Sequence, residues 1–198
     1  VTVATPALHN ERAIIETLTS KGASHADAVD YGVVGCVEPV SAGRHYGHTG
    51  SVLISLPAVM EWAFYQGRHR HTGTGPNDPI IGAETPDPRT VENFGRFYDA
   101  VKQQIDKVAS DVATLNNQLG RTHQLRYPTP TLSALFEGPM EKGLDLIDGG
   151  ATYNASGIVI IGLADAADSL AAIEEVVFEG GVNRFDELLK ALDADFEG

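Results

Sequence analysis

A single cysteine, Cys36, stands in the whole chain, so an internal disulfide is excluded, and the reading is a reducing, cytoplasmic setting. No apolar run approaches the length needed to cross a bilayer, and no basic, apolar leader opens the sequence. Positive charge is also scarce: 14 Lys and Arg stand against 27 Asp and Glu, a formal net charge of -13. Nucleic acid is a poor partner for such a chain, because few cations are available to replace the counterions of its phosphates. Internal repeats and low-complexity tracts are absent. What remains is the composition of an ordinary globular protein, 42% hydrophobic and 21% charged over 198 residues, enough for one sizeable core.

The acidic excess gathers towards the C-terminus, from Glu174 to Glu197, and a solvated surface accounts for it. Basic residues group instead at Arg44, Arg68 and Arg70, beside His45, His48, His69 and His71, and would form a local positive site if the fold joined them. Between these features lies the stretch that organises the chain, residues 31 to 50. It holds Cys36 and, two residues later, Glu38. In extended backbone, residues i and i+2 face the same way, so the thiol and the carboxylate can meet one substrate. A free cysteine is more commonly a buried, inert hydrophobe. Glycines at 32, 35, 43, 47 and 50 argue against a core strand here and suit a loop threading a narrow space, with Pro39 ending any ladder pairing.

Along the chain, residues 1 to 5 read as a short strand, and Asn10 caps a helix from Glu11 to Ser20. Ser24 caps a short turn leading into a strand at Tyr31 to Val34, which gives the size of a βαβ unit. A largely buried helix is predicted over Val52 to Tyr65, with Pro57 either kinking it or marking its start. Residues 68 to 90 form a long irregular connection. The clearest helix covers residues 90 to 119, closed by Gly120, and another runs from Thr129 to Gly143. A strand at Ile158 to Ile161, covered on both faces, and helices at Asp165 to Phe178 and Asn183 to Leu192 complete the chain. The class is α/β with helices dominant.

Four motifs carry a resemblance. Asp30-Tyr31-Gly32-Val33-Val34-Gly35-Cys36-Val37-Glu38-Pro39 resembles the thiyl-loop signature of glycyl radical enzymes of the pyruvate formate-lyase superfamily, in the branch with Cys-x-Glu. Thr5-Pro6-Ala7-Leu8-His9-Asn10-Glu11 resembles a segment upstream of that loop, and Thr85-Pro86-Asp87-Pro88 resembles a downstream turn. Asp148 to Gly157 resembles the family's Gly-Gly-Ala-x-Tyr-Asn element, and the four matches occur in the family's order. That branch includes dehydratases, a choline trimethylamine-lyase and sulfite-lyases; arylacetate decarboxylases of the superfamily share the Cys-x-Glu, and such a decarboxylase is the alternative function that the resemblance implies.

The resemblance implies part of a ten-stranded α/β barrel with the cysteine loop threaded through it, a fold that sequence pattern alone does not distinguish from an open sheet. It implies a lyase that cleaves a C–O, C–N or C–S bond of a small hydroxylated substrate, sulfonate cleavage being slightly favoured. Cys36 would move a hydrogen atom as a thiyl radical, and Glu38 would accept the hydroxyl proton. Arg44, His45, His48 and Thr49 follow closely enough to contact substrate, Arg44 by matching anionic oxygens; ordering of the loop is their alternative role. The radical glycine would lie outside this stretch, installed by a radical S-adenosylmethionine activating enzyme, in a protein that is a homodimer at full length. With no initiator methionine and a C-terminal helix that reads as still running, the chain is expected to be an internal portion of the catalytic domain. A rival reading, a zinc hydrolase built on Cys36, Glu38 and the histidines, fits no recognisable ligand spacing and sets an arginine among the ligands.

Overall fold

Local capping decides where the first helices begin in the computed structural model, which describes residues 9–35, 38–70, 72–180 and 184–197. The Asn10 side chain accepts the Ala13 N–H at 3.2 Å and starts α1, Glu11–Ser20. Ser24 Oγ accepts the Asp27 N–H at 3.1 Å and starts α2, His25–Val29. Such caps satisfy amide donors that a first helical turn leaves unpaired. The strand expected over residues 1 to 5 lies outside the described residues.

Strand β1, Tyr31–Val34, pairs antiparallel with β2, Glu38–Ser41, in the register Tyr31↔Ser41 to Val34↔Glu38. Pro39 therefore does not end the ladder as its chemistry suggested: it sits inside β2 opposite Val33. The pair is two-stranded, and proline is tolerated on an edge strand, where a missing N–H need not serve a ladder. The chain then enters β3, His45–Ser55, so the glycine- and histidine-rich segment is an eleven-residue strand and not a loop. Its partner is β4, Tyr153–Ile161. The Tyr153 N–H donates to the Arg44 carbonyl at 2.9 Å, and Ser51 Oγ donates to the Gly157 carbonyl at 3.2 Å. Contacts that advance together in this way belong to strands running in the same direction. Gly157 is needed there, because a Cβ at that position would stand 3.2 Å from Thr49 Cα.

Helix α3 is Leu56–Phe64, so Pro57 marks its start, and Val52 and Leu53 belong to the strand. The described residues between 68 and 87 are irregular apart from one antiparallel bridge, His69 to Gly73, and are followed by a short 3-10 turn at Pro88–Thr90. Helix α4 runs Phe94–Arg126 and passes straight through Gly120. The predicted Thr129 to Gly143 helix is broken into α5, Pro130–Ser133, and α6, Pro139–Lys142, because Gly138 takes φ +105 ahead of Pro139. Helix α7, Leu163–Ile173, widens into a π-helical turn at Glu174–Phe178, and α8, Phe185–Asp193, stops at Asp193 instead of running on.

Two compact units result, residues Val1–Ser51 with Asn117–Gly157 and residues Val52–Asn116 with Ile158–Gly198. The second holds an aromatic core in which Phe97 lies 5.9 Å from Phe64, 5.0 Å from Phe185 and 6.1 Å from Phe178, ring to ring. Beside Phe97 on α4, Gln104 is fully buried and exchanges hydrogen bonds with both the N–H and the carbonyl of Ala83. In the same unit the predicted two-sided cover of β4 is not found: Ile158, Ile160 and Ile161 remain 36%, 58% and 44% exposed.

Candidate active site

Cys36, the central residue of the sequence reading, lies outside the described residues, as do Val37 and His71. Glu38 opens β2, and its carboxylate folds back over Gly35. A Cβ on Gly35 would stand 2.7 Å from Glu38 Oε2, and its φ of +61 belongs to the left-handed region that favours glycine. Gly35 thus lets the acid lie against the segment that leads into Cys36.

Strand alternation sorts the four residues expected to bind substrate. His45, Gly47 and Thr49 share one face of β3, while Tyr46 and His48 share the other. A Cβ at Gly47 would sit 3.2 Å from Thr49 Cγ2, 3.7 Å from Val40 Cγ1 and 3.8 Å from His45 Nε2. Val40 therefore packs over Gly47, and Val40 is on the same face of β2 as Glu38. The structure brings His45 and Thr49 to the side of β3 that faces the Glu38 strand. His48 is on the reverse side.

His45 is half-buried, its ring edge-on to Tyr153 at 6.3 Å. Its Nδ1 is fully buried and has no hydrogen-bond partner among the described residues. Burial pushes its pKa below the usual histidine value, so the neutral ring is favoured. An orphaned polar atom of this kind is uncommon in a folded protein and marks a place where a polar ligand or water can bind. His48 stacks on Tyr46 at 6.3 Å and meets the edge of His123 at 5.3 Å. Burial first, and the His123 charge second, lower its pKa as well.

Arg44 is not a free cation waiting for an anion. Its Nε donates to Glu137 Oε2 at 2.9 Å, and its Nη1 pairs with Asp27. Arg70 is likewise held by Glu61 at 3.6 Å and Asp193 at 3.2 Å, while Arg68 donates to the carbonyls of Asp78 and Pro76. Carboxylates therefore offset Arg44 and Arg70, while Arg68 keeps its charge and directs its donors at two backbone carbonyls. No group of three metal-ligating side chains occurs among the described residues, and the zinc alternative gains no support from them. A groove of about 550 Å³ between Pro86 and Asp106 is lined by none of the predicted site residues.

Sequence reasoning missed the polar knot beside the site. Asp27, 9% exposed, accepts from Tyr153 Oη at 2.6 Å, from Ser24 Oγ at 2.7 Å and from Arg44. The Tyr153 hydrogen bond is the largest influence holding this carboxyl below the ordinary aspartate range, followed by that from Ser24. The signal for it was present as Ser24-x-x-Asp27, a capping pattern, and as the tyrosine of the Gly-Gly-Ala-x-Tyr-Asn element.

A family profile described as pyruvate formate lyase-like matches residues 2–198. The chain is 33% identical over 193 residues to the (2S)-3-sulfopropanediol dehydratase of Klebsiella oxytoca, covering 98% of this chain and 23% of the relative. It is 33% identical over 200 residues to the isethionate sulfite-lyase of Desulfovibrio desulfuricans, again covering 98% and 23%. The glycerol-bound B12-independent glycerol dehydratase of Clostridium butyricum superposes with a TM-score of 0.85 at 32% identity, over 97% of this chain and 24% of that one. The chain belongs to the pyruvate formate lyase-like family of glycyl radical enzymes. It spans about a quarter of the length of the relatives it matches.

Proposed function

We propose that the chain is an internal portion of a glycyl radical lyase that cleaves a C–O, C–N or C–S bond of a small hydroxylated substrate. One observation carries this reading: in a chain of this family, the carboxylate two residues after the lone cysteine lies folded over Gly35, on the strand face that meets His45 and Thr49. The radical itself belongs to a glycine outside these residues, where an S-adenosylmethionine-dependent activating enzyme would install it. The thiol's part needs no charge, only near-contact with the substrate in a site closed to water.

In this reading, Cys36 as a thiyl radical takes the hydrogen atom from the carbinol carbon, so an S–H bond forms as the C–H bond breaks. The hydroxyl of the resulting carbon radical is far more acidic, and Glu38 accepts its proton. The leaving group on the adjacent carbon departs with the bonding pair, leaving a carbonyl and a carbon radical. That radical recovers a hydrogen atom from the Cys36 thiol, which restores the thiyl. The named activities of the relatives, dehydration and sulfite release, are two outcomes of this sequence and differ in the departing group.

His45 and Thr49 are assigned to substrate contact, because they share the face towards the Glu38 strand and His45 Nδ1 has no hydrogen-bond partner among the described residues. Arg44 and His48 are assigned to ordering β3, since the first is held between two carboxylates and the second packs among aromatic rings on the reverse face. Arg44, held between two carboxylates, adds nothing to the slight preference for a sulfonate, which rests on the Arg44 to Gly50 pattern and on the sulfonates named for two of the relatives. The β1–β2 and β3–β4 pairs are placed within a ten-stranded barrel. The exposure of Leu53 at 61% and Ile160 at 58% supports that placement, because large apolar side chains left open on two paired strands suit a surface that further chain covers. A homodimeric full-length protein in the cytoplasm, acting on a small molecule and not on nucleic acid, completes the reading.

The test uses the intact protein with its activating enzyme, supplied in turn with isethionate, 3-sulfopropanediol and glycerol. Cys36→Ala is expected to abolish turnover while the glycyl radical still appears by electron paramagnetic resonance. Glu38→Gln is expected to bind substrate and block elimination. Parental turnover by either variant sinks the corresponding role.

A further inference from the structure

We propose that Asp27 is a positioning residue of this site, which fixes where the His45 imidazole stands relative to Glu38 by holding the ends of β2, β3 and β4 at one point. This rests on the reading of Glu38 and His45 given above. Asp27 lies on α2, outside the Cys-x-Glu stretch, yet its contacts fall on the last residue of β2, the first of β4 and the residue just before β3. Ser41, the last residue of β2, donates its hydroxyl to the Asp27 carbonyl at 3.0 Å. Arg44, immediately before His45, pairs with the carboxylate. Tyr153, the first residue of β4, donates its hydroxyl to Oδ2 at 2.6 Å.

The same tyrosine is gripped a second time, since its oxygen accepts the Ser24 N–H at 3.1 Å, and its ring closes edge-on against His45. A two-point hold on the hydroxyl leaves the ring little freedom, and the ring excludes water from His45. Glu38 stands three residues ahead of Ser41 on a four-residue strand, so fixing Ser41 fixes the carboxylate's strand as well. Asparagine at position 27 matches aspartate in shape but has no charge and a single acceptor oxygen, which can serve either Arg44 or the Tyr153 and Ser24 hydroxyls that share Oδ2, but not both. Either Arg44 or Tyr153 then loses its hold, and the common fixing point beside His45 is broken. Near-attack geometry is sensitive to small displacements: misplacement by about 1 Å can cost on the order of a hundredfold in rate.

Two variants test the idea in the intact, activated protein: Asp27→Asn, and Tyr153→Phe, which removes only one hydroxyl. In each, the His45 titration is followed by NMR of isotope-labelled histidine, and kcat and KM are measured together with the yield of glycyl radical. The expected result has two parts. The His45 titration rises towards the usual value as water reaches the ring. In the same variants kcat falls by about tenfold or more while KM moves by less than about threefold and the radical yield holds. A His45 titration that stays at the parental value overturns the proposal, whether or not turnover falls, because a loss without that shift comes from the fold at large. A shifted titration with parental kcat overturns it too. Should Asp27→Asn fail to fold, the Tyr153→Phe readings decide alone. The His45 titration does not depend on turnover, so this test stands apart from Glu38→Gln, whose parental turnover would sink the proton-accepting role of Glu38.

Discussion

The two compact units are held together by different means. In the unit of residues Val52–Asn116 with Ile158–Gly198, four phenylalanines, Phe64, Phe97, Phe178 and Phe185, stack around Met60, Val101, Ile173 and Val177. The other unit buries few apolar side chains among its described residues, Leu18, Ala28, Leu146 and Ala151, and ties its segments by side-chain hydrogen bonds. Asp27 gathers Ser24, Arg44 and Tyr153, and Asp145 takes the Thr129 N–H at 2.7 Å and the Thr129 hydroxyl at 2.8 Å. Apolar burial is strong and indifferent to direction; hydrogen bonds contribute less each but fix angles and distances. The residues assigned to chemistry lie in the polar unit, where precise placement matters more than bulk stability.

The largest test of this contrast is Phe97→Ala. Phe97 is fully buried and touches three other rings, so its removal deletes apolar area and leaves a cavity. A loss of about 3–5 kcal/mol is expected in denaturant unfolding. Hydrogen exchange should locate that loss in the aromatic unit, with the amides around Asp27 and Tyr153 affected less. Equal loss of protection in both would show that the units do not differ in the way their cores suggest.

Acidification should do the reverse. His45 and His48 are both held below the usual histidine pKa of about 6.5 by burial, so the unfolded chain binds protons more readily than the folded one. Their share of stability is complete above that value and is lost as pH falls through the lowered folded values. Asp27 and Asp145, also held low, keep their contribution until the pH drops below the ordinary aspartate range. Amide protection in the polar unit is therefore expected to weaken as the pH falls below about 6.5 while that around the phenylalanines holds. His48→Phe, which removes one titrating ring and its interaction with His123, should flatten the dependence. An unchanged slope would mean that the burial of His48 does not cost its charged form.

Local signals were legible in the sequence, and contacts across long separations were not. The Asn10 and Ser24 caps and the start of α3 at Pro57 depend on a few neighbouring residues, and the chain folds there as those residues dictate. Strand β3 was hidden because its glycines look like loop residues until Gly157 of β4 is set against Thr49, more than a hundred residues away. Strand β4 was read too short for the same reason: Tyr153 to Gly157 are polar or small and become a strand only through their partner. At the site, the Cys-x-Glu pair was visible as a motif. The division of His45 from His48 needed the observation that both lie on a strand, and Asp27 needed the fold to bring Tyr153 beside it.

Gly120 offers the smallest test, and it bears on the one place where a local signal misled. Glycine after a run of helical residues usually marks a helix end, yet α4 continues through Gly120 to Arg126. Its φ is not in the left-handed region, and a Cβ there would meet nothing within 4 Å. Neither a cap nor a close approach therefore requires glycine at this position. The packing on either side of it, Asn116 buried in the preceding turn and His123 against His48 in the following one, carries the helix across a residue that prefers to stop it. Gly120→Ala should then lower the entropy of the unfolded chain without strain in the folded one, and stabilise the protein by about 0.5–1 kcal/mol in denaturant unfolding. A destabilisation of similar size would mean that Gly120 is held in a conformation alanine cannot adopt, and that the helix end predicted from sequence persists as strain within α4.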